Sequence, residues 1–546
     1  MNINEILTTI KEELKKTVVE LGYGDENFEC VLEQPKDKTH GDYSTNTALR
    51  LAKVAKKSPR DVATELMNTI NKEKCSIDKL EIAGPGFLNI FLKKDGFFNL
   101  INKVIDEGSD YGKSNVGNGT KILLEYVSAN PTGFLHIGHA RGGAFGDSIA
   151  NIMEKAGYEV HREFYVNDAG NQINNLAYSI EARYLQELGI KCEMPEDGYH
   201  GKEIIGIAKD IISKDGDKYK EGSFEYFKEY GLEFLLNGLK EHLVKYRVEF
   251  DEWFRERTLY NGDVEKTVNY LRENGYTYHQ ENAEWLKTSE FYDEKDRVIY
   301  TSDGRNTYLV PDIAYHKNKL DRGYDILIDV LGADHHGYIN RLKSSMAMIG
   351  KNPDNLQIEI LQMVKVYQNG EEVKMSKRSG KAIGLIDLIE EVGVDPIRYF
   401  FAARALSSPM DLDLDLALRK TNENPVYYAQ YAHARISSVL RTAEEQGIDG
   451  THLTEYVKLN ENSHDLLTII SNYEKVINEA AVKRIPHKVA NYIQTLASAF
   501  HSYYNVEKFL TEDEQETKEK LQLIKAVRII LKDALELIGV SAPEKM

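Results

Sequence analysis

The sequence predicts an α/β protein: a doubly wound parallel sheet, preceded by a small α/β unit and followed by an all-helical one. Three observations lead there. Residues 121–166 run through strand, loop, helix and strand signals, the parallel crossover of such sheets. Residues 1–115 carry helix and strand signals of their own, and from 386 onward the apolar pattern is almost wholly helical. At 546 residues and 42% hydrophobic composition, the chain can bury several cores, about three or four domains' worth.

In the first unit Ile3, Ile6, Ile10, Leu14, Val18 and Leu21 fall on one helical stripe. Ser58-Pro59 followed by Asp61 is a cap for a second helix, Pro35 to Tyr43 reads as a polar loop, and Gly84-Pro85-Gly86 turns into a strand at Phe87–Leu92.

The central unit begins with the short apolar run Ile122–Val127, which the turn residues Asn130-Pro131-Thr132-Gly133 stop. Phe145, Ile149, Ile152 and Ala156 then fall at helical spacing, Gly157 ends the helix, and Tyr158–Val166 is a second strand. This order puts His136-Ile137-Gly138-His139 at a helix N-terminus beyond the carboxyl end of a strand, where free N–H groups and the helix dipole attract phosphate. Gly138 leaves room there for a flat ring or a phosphate. Asn167 to Gln172 is a polar loop at the same edge, and residues 190–265 read as a helical insertion packed down by aromatics that include Tyr226, Trp253 and Phe254.

Farther on, Arg297–Tyr300 and Tyr308–Val310 read as strands around a Ser302-Asp303-Gly304 turn. Asp312, with Tyr308 and Tyr315 nearby, offers a carboxylate beside phenols, which suits a guanidinium; a turn-forming Asp with core tyrosines is the alternative. Asp325–Leu331 is a buried-type strand ending in Asp334-His335-His336, a better polar wall for a nucleotide than a metal site, since no second ligand cluster accompanies it. The strand-like run Gln357–Tyr367 leads through the tight-turn pair Asn369-Gly370 to Lys374-Met375-Ser376-Lys377, a cationic loop suited to a departing pyrophosphate. In the last unit Asn424-Pro425 starts a helix carrying Tyr427, Tyr431 and Arg435, side chains that can stack bases and hold phosphates, or pack a core.

The formal net charge of −18 excludes an indiscriminately basic nucleic-acid binder and leaves local basic patches as the means of contact. Cys30, Cys75 and Cys192 are isolated from one another, which excludes a CxxC metal or redox pair and fits a reducing, cytoplasmic compartment. The first residues carry early acids and no leader-like pattern, and no run of about 18 apolar residues suggests a membrane span.

His136-Ile137-Gly138-His139 and Lys374-Met375-Ser376-Lys377, in this order, resemble the two ATP signatures of class I aminoacyl-tRNA synthetases, with Arg378 where the family pattern ends in Ser. His40–Asn46 and Ala83–Asn89 resemble the additional N-terminal domain of the arginyl family, and the C-terminal segments resemble its anticodon-binding bundle. The resemblance implies three domains: 1–115, touching the tRNA elbow; 116–385, a Rossmann-like catalytic domain; and 386–546, a helical anticodon-binding domain. It implies ATP-dependent ligation of L-arginine to tRNA(Arg) through arginyl-adenylate, with Mg²⁺ as cofactor, by a monomer. His136, His139, Lys374 and Lys377 would be catalytic, and Gly138, Asp334, His335, Met375 and Ser376 would complete the ATP site. Glu125, Ser128, Asn130, Tyr308, Asp312 and Tyr315 would surround arginine, and Tyr427, Tyr431 and Arg435 would meet the tRNA. No metal-ligating residues and no membrane association are expected. A different class I synthetase, or a catalytically silent tRNA-binding relative, are the competing readings.

Overall fold

The computed structural model describes residues 3–35, 37–93, 95–374, 383–448 and 453–546, the side chains of Lys38, Asp95, Phe97, Asp334, His335 and His336 excepted. The core element is a five-stranded, all-parallel sheet. Its strands are β1 (Lys121–Glu125), β2 (Glu159–Val166), β3 (Glu252–Arg255), β4 (Ile326–Gly332) and β5 (Leu356–Leu361), and their order across the sheet is β5-β4-β1-β2-β3. The chain therefore winds outward in one direction after β1 and in the other after β4. The topological switch point lies between those two strands, and a crevice opens beyond their carboxyl ends.

Helix α1 (Ile137–Lys155) makes the first crossover. Its middle is sealed onto β1 at Gly146, where an added Cβ would sit 2.2 Å from the Tyr126 ring, so only glycine permits this approach. Three helices follow β2: α2 (Asn171–Glu187), α3 (Lys202–Asp215) and α4 (Phe224–Lys245), with a core of their own around Tyr184, Ile207 and Phe227.

Four expectations need correction. The insertion ends earlier than residue 265, because Glu252–Arg255 pairs with β2 as the sheet's edge strand, so Trp253 and Phe254 are sheet residues and Trp253 stacks on Phe164. Tyr308–Val310 is not a strand: Tyr308 caps helix α5 (Leu309–Asp321), and Pro311 sits in its first turn, where a missing N–H has no intrahelical acceptor to lose. The run Gln357–Tyr367 is two strands, β5 in the main sheet and β6 (Val364–Gln368) in a small separate one, where it pairs with β7 (Glu371–Glu372) and β8 (Met410–Asp413). Within Pro35–Tyr43, Lys38–His40 forms a turn of 3-10 helix. The Asn369-Gly370 turn is as expected, with φ of 53° and 76°.

The N-terminal stripe is buried as its spacing demands, Ile3, Ile6, Ile10, Leu14 and Val18 all being at most 1% exposed, and the Ser58 hydroxyl accepts from the Asp61 N–H. The C-terminal bundle includes α6 (Pro425–Glu445), α7 (His487–Val506) and α8 (Glu514–Leu537). None of the described helices is long and apolar enough to cross a membrane.

Arg398 locks the bundle to the sheet. Fully buried, its guanidinium pairs with Asp147 of α1 and donates to the carbonyls of Arg247 (2.9 Å) and Ile538 (3.2 Å). Replacing Arg398 by Met is expected to destabilise the protein by about 3–5 kcal/mol, because Asp147 is left buried without its cation, with only the Asn151 amide (3.3 Å) donating to it; Arg398→Met/Asp147→Asn should recover part of that in thermal melts.

Candidate active site

The crevice at the switch point is a cleft of about 380 Å³, walled by the end of β1, the start of α1, the face of α5 and the end of β4. Its floor is shaped by a turn in which the Ser128 N–H donates to the Tyr126 carbonyl (2.9 Å) across Val127, whose φ is 69°. This is the rare positive-φ γ-turn, here on a β-branched residue, and Ser128 follows at φ 37°. Such backbone costs about 1–3 kcal/mol per residue and persists where surrounding bonds over-determine it. Here Ser128 Oγ donates to Glu125 (2.8 Å) and accepts the Tyr165 N–H (3.1 Å), so the strained turn joins β1 to β2.

At the mouth, α1 opens with two histidines that cap their own helix. His136 Nδ1 accepts the Gly138 N–H (3.0 Å), and His139 Nδ1 accepts the His136 N–H (3.1 Å). The rings stack with centroids 3.7 Å apart. A side chain at position 138 would meet the His136 ring at 2.9 Å, so glycine is what allows the pair to form. Desolvation holds His136 below its ordinary range, and burial, with His136 adding to it, holds His139 down to about 3. Both rings are thus neutral near pH 7, and because each Nδ1 is an acceptor, each carries its proton on Nε2. The site presents two Nε2–H donors beside the positive end of a helix, an arrangement for phosphate oxygens.

The far wall is acidic. Asp312, in the first turn of α5, accepts a hydrogen bond from the Tyr338 hydroxyl, and burial pushes its carboxyl above the usual range. Behind Tyr165 lies Glu256, 5% exposed and hydrogen-bonded to Tyr260 (3.3 Å); burial, reinforced by Asp312, pushes it up to about 7. Tyr315, Tyr165 and Phe254 line up ring against ring along this wall, with centroids 4.6 and 4.8 Å from Tyr315.

Beneath the wall runs a row of four carboxylates. Asp329, Glu125, Glu163 and Glu252 are direct register partners on β4, β1, β2 and β3, hence on one face. Helix α5 lies over them with a cationic stripe. His316 Nε2 is 2.8 Å from Asp329, Lys319 reaches Glu125 (2.6 Å) and Asp329 (2.8 Å), and Arg322 reaches Glu163 (2.6 Å) and Glu252 (2.8 Å). The other nitrogen of His316 faces the Asp312 carbonyl at 2.7 Å. Both partners of that ring only accept, so it carries both protons, and Asp329 raises its pKa against the effects of burial and Lys319. Burial pushes Glu125 up, with Asp329 adding to it, despite Lys319.

Of the residues expected from the sequence, Glu125, Ser128, His136, Gly138, His139, Asp312 and Tyr315 all line the one cleft. Two of them are already engaged beneath it: Glu125 by Lys319 and Ser128, and the Tyr315 hydroxyl by Glu163 (2.6 Å). Asn130 and Tyr308 are exposed outside the lining, Tyr308 at 74%. Asp334 and His335 lie on a 3-10 turn directly after β4. Lys374 is exposed just past the β6–β7 hairpin, while Met375, Ser376, Lys377 and Arg378 fall outside the described residues. In the bundle, Tyr427 and Tyr431 stack at 5.9 Å, and the Arg435 guanidinium sits between the rings of Tyr431 (4.4 Å) and Tyr504 (4.6 Å). Sequence reasoning missed Glu256, Tyr165, Tyr338 and Lys319. The one available signal was the spacing Asp312, His316, Lys319, a charged helical face in a stretch whose residue types signal strand and turn.

Comparison with known proteins covers the chain from end to end. Residues 4–92 match the model of the arginyl tRNA synthetase N terminal domain, 100–397 that of the tRNA synthetases class I (R) catalytic domain, and 429–546 that of the DALR anticodon binding domain. Arginine–tRNA ligase of Bacillus subtilis (strain 168) is 52% identical over 556 aligned positions that cover 100% of both chains, and that of Anoxybacillus flavithermus 51% with the same coverage. The fold aligns with Thermus thermophilus arginyl-tRNA synthetase at a TM-score of 0.74 and 20% identity, over 98% of this chain and 99% of that one. The parallel sheet with its histidine-capped helix, the module before it and the bundle after it are those of one family: the chain belongs to the class I arginyl-tRNA synthetases and is an ATP-dependent arginine–tRNA ligase.

Proposed function

We propose that the cleft between β1 and β4 divides the reaction by charge, with ATP phosphates at the α1 mouth and the arginine guanidinium at Asp312. The observation that carries this reading is the contrast along one cleft, neutral imidazoles and a helix N-terminus at one end, the half-buried Asp312 with the buried Glu256 behind it, both pushed upward, at the other. A guanidinium meets a carboxylate through two parallel N–H···O bonds, and its face suits the rings of Tyr315 and Tyr165. Ionising Asp312, and Glu256 behind it, costs least when a cation arrives.

In this reading the arginine carboxylate oxygen attacks the α-phosphorus of ATP, and pyrophosphate leaves with the electron pair of the broken bond. The Nε2–H groups of His136 and His139 donate to phosphate oxygens as charge develops, and the fixed N–H groups of α1 add to them without reorganising. A terminal hydroxyl of the tRNA then attacks the arginyl carbonyl and AMP departs. Lys374 and Lys377 are assigned to pyrophosphate by their match to the family signature, Met375, Ser376, Asp334 and His335 to the nucleotide, Asn130 to the α-amino or carboxylate end of arginine, and Tyr308 to the guanidinium pocket beside Asp312. Mg²⁺ fits as a companion of the ATP phosphates, which supply hard oxygen ligands themselves. Among the described residues the one cluster of His and carboxylate ligand atoms, His161, Glu163 and Glu252, does not fit it, because Arg322 already holds both carboxylates.

The domain roles accord with the same reading: residues 1–115 on the tRNA elbow, 116–385 for chemistry, and 386–546 for the anticodon, with Tyr427, Tyr431 and Arg435 facing RNA. The protein acts as a monomer in the cytoplasm.

Arginine-dependent ATP–pyrophosphate exchange tests the reading. With tRNA present, exchange is expected with arginine and not with lysine, glutamate or cysteine; exchange with lysine at a comparable rate would overturn the guanidinium assignment. Asp312→Asn is expected to weaken arginine by roughly 2–5 kcal/mol, read as a raised KM for arginine with that for ATP little changed, since the guanidinium is left underpaired. An unchanged arginine KM would remove Asp312 from the site.

A further inference from the structure

Two members of the carboxylate row, Glu125 and Asp329, line the cleft itself, and the row's formal charges do not cancel. Asp329, Glu125, Glu163 and Glu252 bring four negative charges, against three positive ones from His316, Lys319 and Arg322. Glu252 also has His161 within 3.5 Å, at the edge farthest from the cleft. Counted formally over these seven groups the row is one cation short, and the negative surplus lies toward Glu252, whose side chain is 42% exposed. Lys319 occupies its centre. It is wholly buried, it bridges the two strands that flank the switch point, and it lies seven residues, two helical turns, from Asp312 on the same face of α5.

From this we infer that Lys319 is a positioning residue for arginine selection. By drawing Glu125 of β1 and Asp329 of β4 together under α5, it sets the depth at which Asp312 stands in the cleft, while neutralising only one of the two carboxylates it holds. The inference rests on the placement of the guanidinium at Asp312. A tie between strands alone could be made by any well-packed side chain. What singles out lysine here is that an ammonium both holds two carboxylates and neutralises only one of them.

Charge and position separate in the variants. In full-length protein assayed by arginine-dependent exchange with tRNA between pH 6 and 9, Lys319→Met is expected to raise the arginine KM at least tenfold while the ATP KM stays within about twofold. Stripped of its cation, the Glu125–Asp329 pair takes up a proton. The groups facing the pair are His316 and Asp312 on α5, Ser128, and on the neighbouring strand Tyr165 and Glu163, the latter with its partners Tyr315 and Arg322, so none replaces the lost charge. The acid limb of kcat/KM for arginine should move up by about one pH unit or more. Lys319→Met/Asp329→Asn restores the deficit of one and should return the acid limb to its wild-type position, with most of the KM recovered. Lys319→Arg keeps the charge with a longer, planar head, so its acid limb should not move while its arginine KM rises several-fold.

A folded Lys319→Met protein with wild-type arginine KM and pH profile would overturn the inference. So would equal losses for arginine and ATP with no rescue by Asp329→Asn, the signature of packing alone. If Lys319→Met fails to fold, Lys319→Arg decides, and a wild-type arginine KM there would contradict the positional claim. An unaltered arginine KM in Asp312→Asn would instead remove the premise that the guanidinium sits there, and so distinguishes the two failures.

Discussion

The architecture of the cleft depends on a buried electrostatic contact, one helix laid across four in-register carboxylates. Taking Asp329, Glu125 and Glu163 out of water costs several kcal/mol each, while Glu252 at the sheet edge stays 42% exposed, and the contact returns that cost only through short, multiple bonds. Lys319 and Arg322 each hold two carboxylates, and His316 holds one along with a backbone carbonyl. Such an arrangement has little tolerance for sliding. Moving α5 by one turn, about 5.4 Å, would break every pair at once. The position of Asp312 is thereby set by groups on the floor of the cleft and beneath it, and the end of the cleft proposed for arginine inherits the rigidity of the parallel sheet.

The phosphate end is built from different bonds. Helix α1 begins with N–H groups that lack intrahelical acceptors, and the two histidines take up two donors of this first turn through Nδ1, which leaves their protons on Nε2. The strained backbone at Val127 and Ser128 sits between this end and the acidic one, held by bonds to both β1 and β2. Arg141 ties the same helix to the chain beyond the sheet: wholly buried, it donates to the carbonyls of Gln362, Ala405 and Ser408 at 2.8 Å, which fixes β6 and the hairpin leading to Lys374. Each side of the cleft is thus pinned by a cation buried outside it.

How much of this could be read from the sequence depends on how local the cause is. The β1–α1–β2 crossover, its glycine stop, the Ser58 cap and the Asn369-Gly370 turn each depend on a few neighbouring residues, and the structure has them. Helix α5 was hidden because Pro311 and the tyrosines beside it look like turn and strand, although a proline costs nothing in a first turn. Edge strand β3 was hidden inside an aromatic, charged stretch, since an edge strand of four residues has too short a pattern to register. Glu256 and the carboxylate row were out of reach for a deeper reason. Their partners are up to 194 residues away, as for Lys319 and Glu125, and only the strand order makes them neighbours. The negative total charge pointed away from tRNA, yet charge acts through its distribution, and the role proposed for the acids of this cleft is toward a cationic substrate.

The central claim is that the arginine end of the cleft is a set of buried carboxyls awaiting a cation. Calorimetry of arginine binding to the tRNA-bound protein, run in two buffers of different ionisation enthalpy, measures this most directly. Glu256 rests near 7, above its ordinary value, so near pH 6.5 it is mostly protonated, and an arriving guanidinium should expel that proton. The account predicts net proton release at pH 6.5 that fades toward pH 9, tighter binding as pH rises through 7, and loss of the release in Glu256→Gln. Binding with no proton exchange across that range, at an affinity independent of pH, would contradict it.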